Sequence, residues 1–400
     1  MRFSTVSSSV LLCAAGASAI SPASSPVLIV PGTGGNRLEA KLNKPSAPHF
    51  YCSKNADWFD LWLDVKQLLP GAIDCWCDNI RLVYDTASDS FSNSPGVDVR
   101  VPCYGEVCGV EYLDESLKVS DSAYFHDLIE AFAQAGYVRG ANIRSAPYDF
   151  RYSPAGDPSS YVSRTVSLVE EMYADGGGVP VTLVSHSMGS LWTHYLLHGA
   201  SREWKDKHVA CWVALAPAYG GTAKELRLFA SGDNEGIPLV SGLTVRGEQR
   251  SYESNFWLLP NKALWSSTEV LVSTPARNYT AHDVPELLQD AGFEEGPAIY
   301  KRFERDPALT DLSDPGVAVH VRYGVGVDTP ESFRYDKAGD FNTVPDMVLG
   351  DGDGTVNRRG LEAGMNWQSA NHKAFSGVDH TAIVKNKEVI DEILTLTKAA

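Results

Sequence analysis

Ser187 lies in the stretch V-P-V-T-L-V-S-H-S-M-G-S-L (residues 179–191), with Ser185 and Gly189 two positions to either side. A serine framed by small residues at those spacings is the signature of a nucleophile elbow, a sharp strand-to-helix turn that presents a hydroxyl to a carbonyl carbon. Small residues are needed because strand and helix nearly touch at the turn. Glycine is usual at the leading position, and Ser185 departs from it while remaining small. A serine hydroxyl needs a base to take its proton and a carboxylate to orient that base. On a strand–turn–helix scaffold these follow in the chain order Ser, Asp or Glu, His. Of ten histidines, only His372 and His380 lie beyond the acidic turn Gly350-Asp351-Gly352-Asp353-Gly354-Thr355-Val356. His380 stands just before the last helical stretch, where a loop can bring it over a sheet edge, so it is the expected base, with His372 as second choice. Asp353 is the expected carboxylate, with Asp351 as its alternative.

These side chains need a scaffold that brings distant segments together. Val27-Leu28-Ile29-Val30 and Val181 to Val184 read as buried strands, Val209 to Leu215 and Val97 to Val101 as further strands, and Thr343 to Leu349 as a late one. Helical spacing marks Tyr124 to Phe132, Tyr161 to Tyr173 and a final stretch from Thr381 to Lys398. Such alternation predicts an α/β fold with a mostly parallel sheet. Residues 222–317 break the alternation and read as a loop-rich inserted cap or lid.

With 44% hydrophobic residues over 400 positions, the chain can bury a large core. Its formal net charge of −16, without a long basic run, argues against a nucleic-acid partner. Arg2, an apolar Val10 to Ala15 stretch and Ala17-Ser18-Ala19 predict a signal peptide over residues 1–19. No later stretch approaches the ~20 apolar residues of a membrane span, so a soluble monomer of the secretory pathway, lysosomal or extracellular, is expected. Cys52, Cys75, Cys77, Cys103, Cys108 and Cys211 remain after the leader. They permit disulfides without deciding their pairing, although a local Cys103–Cys108 bridge is plausible. Asn278-Tyr279-Thr280 is a glycosylation sequon.

Three further stretches invite a chemical reading. Pro31-Gly32-Thr33-Gly34-Gly35-Asn36 fits neither phosphate-loop spacing, but a glycine-rich turn after an early strand can offer a backbone N–H to an oxyanion. Asp351, Asp353, Thr355, Asn357 and Glu362 match calcium-loop ligand positions, but Val356 stands where the sharp turn needs glycine. The cysteines lack histidines at zinc spacing, and no metal or cofactor is expected. Between Cys52 and Cys75, Trp58, Leu61, Trp62, Val65 and Leu69 share one face if Asp57 to Pro70 is helical. That face would serve either core packing or insertion into a lipid surface, and its acidic opposite side is unlike that of most interfacial helices.

The chain resembles the lecithin:cholesterol acyltransferase family, and within it the lysosomal phospholipase branch, from Val27 to the last helix. The resemblance is carried by Gly32 with Gly35-Asn36, by Leu38 to Leu42, Asp74-Cys75-Trp76 and Asp78 to Tyr84, and by Ala146-Pro147-Tyr148-Asp149. It continues through His186-Ser187-Met188-Gly189, Ser231-Gly232-Asp233-Asn234 and Gly350 to Asn357. It implies an α/β-hydrolase core over residues 25–400, interrupted by a membrane-binding subdomain at 52–90 and a cap at 222–317. It implies Ser187, Asp353 and His380 as catalytic residues, oxyanion amides at Thr33 and Met188, and a Cys52–Cys75 disulfide. The membrane-contacting residues would be Trp58, Leu61, Trp62, Leu68 and Leu69, and the peripheral partner a phospholipid surface. The implied reaction moves an acyl chain from a glycerophospholipid to the serine and then to water or a lipid alcohol. A neutral-ester (triglyceride) lipase and a catalytically silent lipid-binding protein are the alternatives. This chain departs from the family pattern at Thr33, where relatives carry Asp or Cys. It also has Val321 and Gly364 near the places of a second family disulfide.

Overall fold

Val27–Val30 (β1) is buried along its whole length and lies one strand in from the edge of a six-stranded parallel sheet. The other strands are Ile143–Ser145 (β2), Val181–His186 (β3), Val209–Leu215 (β4), Val319–Val325 (β5) and Ala370–Ser376 (β6). Their order across the sheet is β6-β5-β4-β3-β1-β2, with every neighbour parallel. The wholly aliphatic β1 and the largely apolar β3 and β4 are what strands covered on both faces require. Helices His126–Gln134 (α1), Tyr161–Asp175 (α2), Met188–Gly199 (α3) and Lys387–Ala399 (α4) supply that cover. The chain has the α/β-hydrolase fold. The computed structural model describes residues 24–117, 122–236, 240–337 and 340–399. The leader expected at residues 1–19 lies outside them.

Parallel strands place all their C-terminal loops at one edge of the sheet. The turn after β1, the elbow after β3 and the loop after β6 therefore meet at that edge. After β5 the chain continues as Val327–Arg334, folds back antiparallel as Asp346–Gly352, and delivers Asp353 to the same place. The late strand thus begins three residues after the expected Thr343.

The Asp57 to Pro70 helix is not formed. Asn55–Trp62 is a strand, paired antiparallel with Leu38–Asn43, which also pairs with Val97–Arg100. A 3-10 turn at Val65–Leu68, capped by the Asp64 carboxylate, and a helix at Ile73–Ile80 complete the excursion. Ladder hydrogen bonds to Leu38–Asn43 override the helical spacing of the apolar residues, and Arg37 adds ion pairs to Asp60 and Glu115. The proposed apolar face is consequently split. Leu61 and Leu68 point into the core at 0% and 5% exposure, and Trp62 is half-buried. Trp58 and Leu69 are exposed, together with Phe50, Tyr51 and Val65. Residues 222–317 are more helical than expected, with helices at Lys224–Ser231, Gly242–Ser251, Glu253–Trp257, Val284–Asp290 and Gly296–Phe303. Glycines and prolines between these short helices obscure their periodicity in sequence.

Cys52 is bonded to Cys75 and Cys103 to Cys108. Cys77 and the buried Cys211 are free. The Cys52–Cys75 bridge closes a sequence separation of 23 residues, and a loop of that length is stabilised by about 3 kcal/mol through its restricted unfolded state. The Cys52→Ser/Cys75→Ser double variant should show that loss in chemical denaturation; a midpoint equal to wild type would contradict it.

Candidate active site

Ser187 follows β3 and caps the start of α3 with φ 53° and ψ −128°, a strained backbone for a residue with a side chain. Close approach of three segments enforces it. A Cβ on Gly189 would lie 2.3 Å from the Pro31 carbonyl oxygen, and one on Gly32 would lie 2.8 Å from the Ser187 Cβ. The chain tolerates Ser185 where glycine is usual because its buried hydroxyl has partners. The Trp212 indole donates to it at 2.8 Å, and it lies 2.8 Å from the Ser190 hydroxyl.

The turn after β6 brings His380 to this serine. Its Nε2 lies 2.9 Å from Ser187 Oγ, and its Nδ1 lies 2.7 Å from Asp353 Oδ2. The His380 backbone N–H also donates to the Asp353 carbonyl at 2.8 Å. The other carboxylate oxygen of Asp353 accepts from the amides of Val356 (2.8 Å) and Thr355 (3.1 Å). Asp353 is fully buried, which by itself would raise its pKa. The His380 imidazole and the two amides outweigh burial and hold it below the usual carboxylate range.

Of the two carboxylates and two histidines open to the sequence reading, the structure gathers Asp353 and His380. Asp351 accepts from the Gly326 amide and pairs with Arg358. His372 donates to the Gly364 carbonyl at 3.1 Å. The calcium-like spacing dissolves into separate partners as well. Asn357 accepts from the Ala223 amide, and Glu362 accepts from Tyr323 and Arg358.

Beside Ser187 the turn after β1 is held from several directions. The Gly35 amide donates to the Gly32 carbonyl at 3.0 Å, and the Trp62 indole donates to the Gly34 carbonyl at 2.7 Å. The Thr33 hydroxyl reaches the Met188 sulfur at 3.3 Å. Among the described residues no hydrogen bond takes up the Thr33 amide, and Met188 opens α3, where helix N–H groups have no intrahelical acceptor. Thr33 is exposed, so this edge of the site faces solvent.

Two site residues were not singled out from sequence. Tyr124 precedes α1 and reads there as one more apolar residue of an amphipathic stretch; His186 lies inside the elbow motif itself. Tyr124 Oη lies 2.5 Å from His186 Nδ1 and accepts from the Gly32 amide, while His186 Nε2 lies 2.8 Å from the His380 carbonyl. Burial, reinforced by the adjacent His380, depresses the His186 pKa to about 3.

A depressed carboxylate pKa stabilises the fold above its unfolded value near 3.9, and that contribution is lost as pH falls through the folded value. Asp353→Asn should therefore be less stable than wild type at pH 7, with the gap narrowing once pH falls below about 4. Denaturation midpoints across that range are the check, and a gap independent of pH would refute the assignment. The depressed His186 acts in the opposite sense. Below about pH 6.5 its unfolded form takes up a proton that the folded form refuses, so it lowers stability on the acid side.

Comparison with known proteins brings the chain's relatives into view. Residues 58–300 and 299–392 match the lecithin:cholesterol acyltransferase family. The chain is 43% identical over 367 residues to the human "Lysosomal phospholipase A and acyltransferase", covering 90% of this chain and 87% of that one. It is 38% identical over 374 residues to the human "Phosphatidylcholine-sterol acyltransferase", covering 92% and 83%. A chain of the solved Tle4–Tli4 complex superposes with a TM-score of 0.56 at 13% identity, over 94% of this chain and 99% of that one, a likeness of fold alone.

Proposed function

The chain belongs to the lecithin:cholesterol acyltransferase family, and from that premise we propose that it is a serine phospholipase A and O-acyltransferase. The observation that carries this reading is the unbroken chain Ser187–His380–Asp353, at 2.9 and 2.7 Å, beneath a strained elbow. Ser187 Oγ attacks the ester carbonyl carbon of a glycerophospholipid while His380 Nε2 takes its proton. Asp353, kept ionised, stabilises the imidazolium that forms. The amides of Thr33 and Met188 receive the oxyanion, each worth about 3 kcal/mol in the transition state. His380 then protonates the departing lysolipid, leaving an acyl chain on Ser187. Water or a lipid alcohol, deprotonated by the same imidazole, releases it. Thr33 brings no titrating group to the oxyanion turn.

The substrate resides in a bilayer, and we assign its contact to the disulfide-closed segment at residues 52–90. Trp58, Val65 and Leu69 are exposed apolar residues there, with Arg100 stacked on the Trp58 ring at 4.2 Å. Leu61 and Leu68 belong to the packing beneath. Residues 222–317 form the cap in this reading, and the protein acts as a monomer attached peripherally. Two disulfides and the named relatives favour an oxidising compartment of the secretory pathway. Exposed Asn278 is the glycan acceptor.

Purified protein and Ser187→Ala, given phosphatidylcholine vesicles with a ceramide-type alcohol at acidic and neutral pH, test the chemistry. Free fatty acid or acylated alcohol is expected from wild type only. Vesicle binding without a Ser187-dependent product would leave a lipid-binding protein, and release from triglyceride but not phospholipid a neutral-ester lipase. The Trp58→Ala/Leu69→Ala variant tests the surface. Burying each such side chain contributes about 1.5–3 kcal/mol, so vesicle affinity should fall at least tenfold while hydrolysis of a water-soluble ester is unchanged. Equal vesicle affinity would move the membrane contact elsewhere.

A further inference from the structure

We propose that Tyr124 and His186 form a positioning relay that holds the oxyanion turn and the His380 imidazole in register with Ser187. The inference rests on the active-site reading above and adds two residues to it, neither of which touches substrate.

Proton directions along the relay follow from groups that have only one option. The Gly32 N–H can only donate, so Tyr124 Oη accepts it at 3.1 Å. The phenol proton is then directed to His186 Nδ1, 2.5 Å away. At the far side of the ring the His380 carbonyl can only accept, so His186 Nε2 carries the proton and donates at 2.8 Å. His186 is thereby fixed as the neutral Nε2–H tautomer. Each bond spans a long sequence distance, and together they tie the turn after β1, the elbow and the loop after β6.

Both polar backbone atoms of Gly32 are thus occupied, its N–H by Tyr124 and its carbonyl by Gly35. The next amide, that of Thr33, has no acceptor among the described residues and is open to an oxyanion. At the other end the bond to the His380 carbonyl fixes the backbone that carries the base. The two imidazoles lie with ring centroids 4.8 Å apart. The titratable groups that face His186 are Tyr124, His380 and, more distantly, Asp353. A neutral His186 leaves no positive charge beside His380 when that residue takes the serine proton. Burial keeps it so down to about pH 3.

Tyr124→Phe removes one hydroxyl and keeps the ring, and His186→Phe removes both ring nitrogens. Their test is the rate at which a small fluorophosphonate modifies Ser187, together with kcat and KM on phospholipid vesicles from pH 4 to 8. The modification rate and kcat should fall about 10- to 100-fold, less than the roughly 10²–10⁴-fold contributed by a group that itself transfers the proton. KM should change less than twofold. Burial keeps His186 neutral in Tyr124→Phe as well, so the shape of the pH profile should match wild type while its height falls. Should His186→Phe fail to fold, Tyr124→Phe alone decides. Wild-type modification rates and kcat in the folded Tyr124→Phe would overturn the relay. So would a loss confined to KM. A wild-type protein whose Ser187 does not react with the fluorophosphonate would instead defeat the active-site reading itself.

Discussion

The backbone at Ser187 stands at φ 53°, where a side-chain-bearing residue is held at a cost of about 1–3 kcal/mol. Its surroundings leave it no alternative. Gly189 passes so close to the carbonyls of Val30 and Pro31 that no Cβ fits, and Gly32 lies against the serine itself. The strain is therefore opposed by the packing of α3 on the fully buried β1 and β3. The same crowding sets the rest of the site. The turn after β1 must be glycine-rich because the elbow presses on it, and its amides consequently lie beside the hydroxyl they would serve.

Around this elbow the polar groups are arranged so that each proton has one place to go. Asp353 spends one carboxylate oxygen on backbone amides and the other on His380, which leaves the imidazole Nε2 for Ser187. Buried networks of this kind rigidify when every member is satisfied and are costly when one is not. The Ser185 hydroxyl follows that rule. It occupies a position usually held by glycine and is accommodated through Trp212 and Ser190.

The small disulfide-closed excursion is joined to the site through Trp62. Its strand carries Trp58 outward, packs Leu61 inward, and ends with the Trp62 indole on the Gly34 carbonyl. Trp62 also packs on Trp76 and Phe150, so the excursion and the oxyanion turn share one aromatic cluster. The exposed apolar side chains of the excursion and the turn beside Ser187 are thus parts of one packed unit.

The sequence by itself determined the elbow at Ser187, the α/β architecture, and the segments that bring a histidine and a carboxylate to it. These are local: small residues flank one serine, aliphatic runs mark buried strands, and few histidines follow the acidic turn. It left Asp351 beside Asp353 and His372 beside His380. The choice between such near neighbours depends on which side chain the antiparallel return strand and the turn after β6 aim at the serine. Tertiary structure alone decided that, and it reversed the reading of Asp57 to Pro70. There, residues spaced for a helix pair instead with Leu38–Asn43, since a ladder to a distant strand outweighs local periodicity. Tyr124 and His186 were illegible for the same reason: their roles are relations to Gly32 and His380, far away in sequence and adjacent only because parallel strands end together.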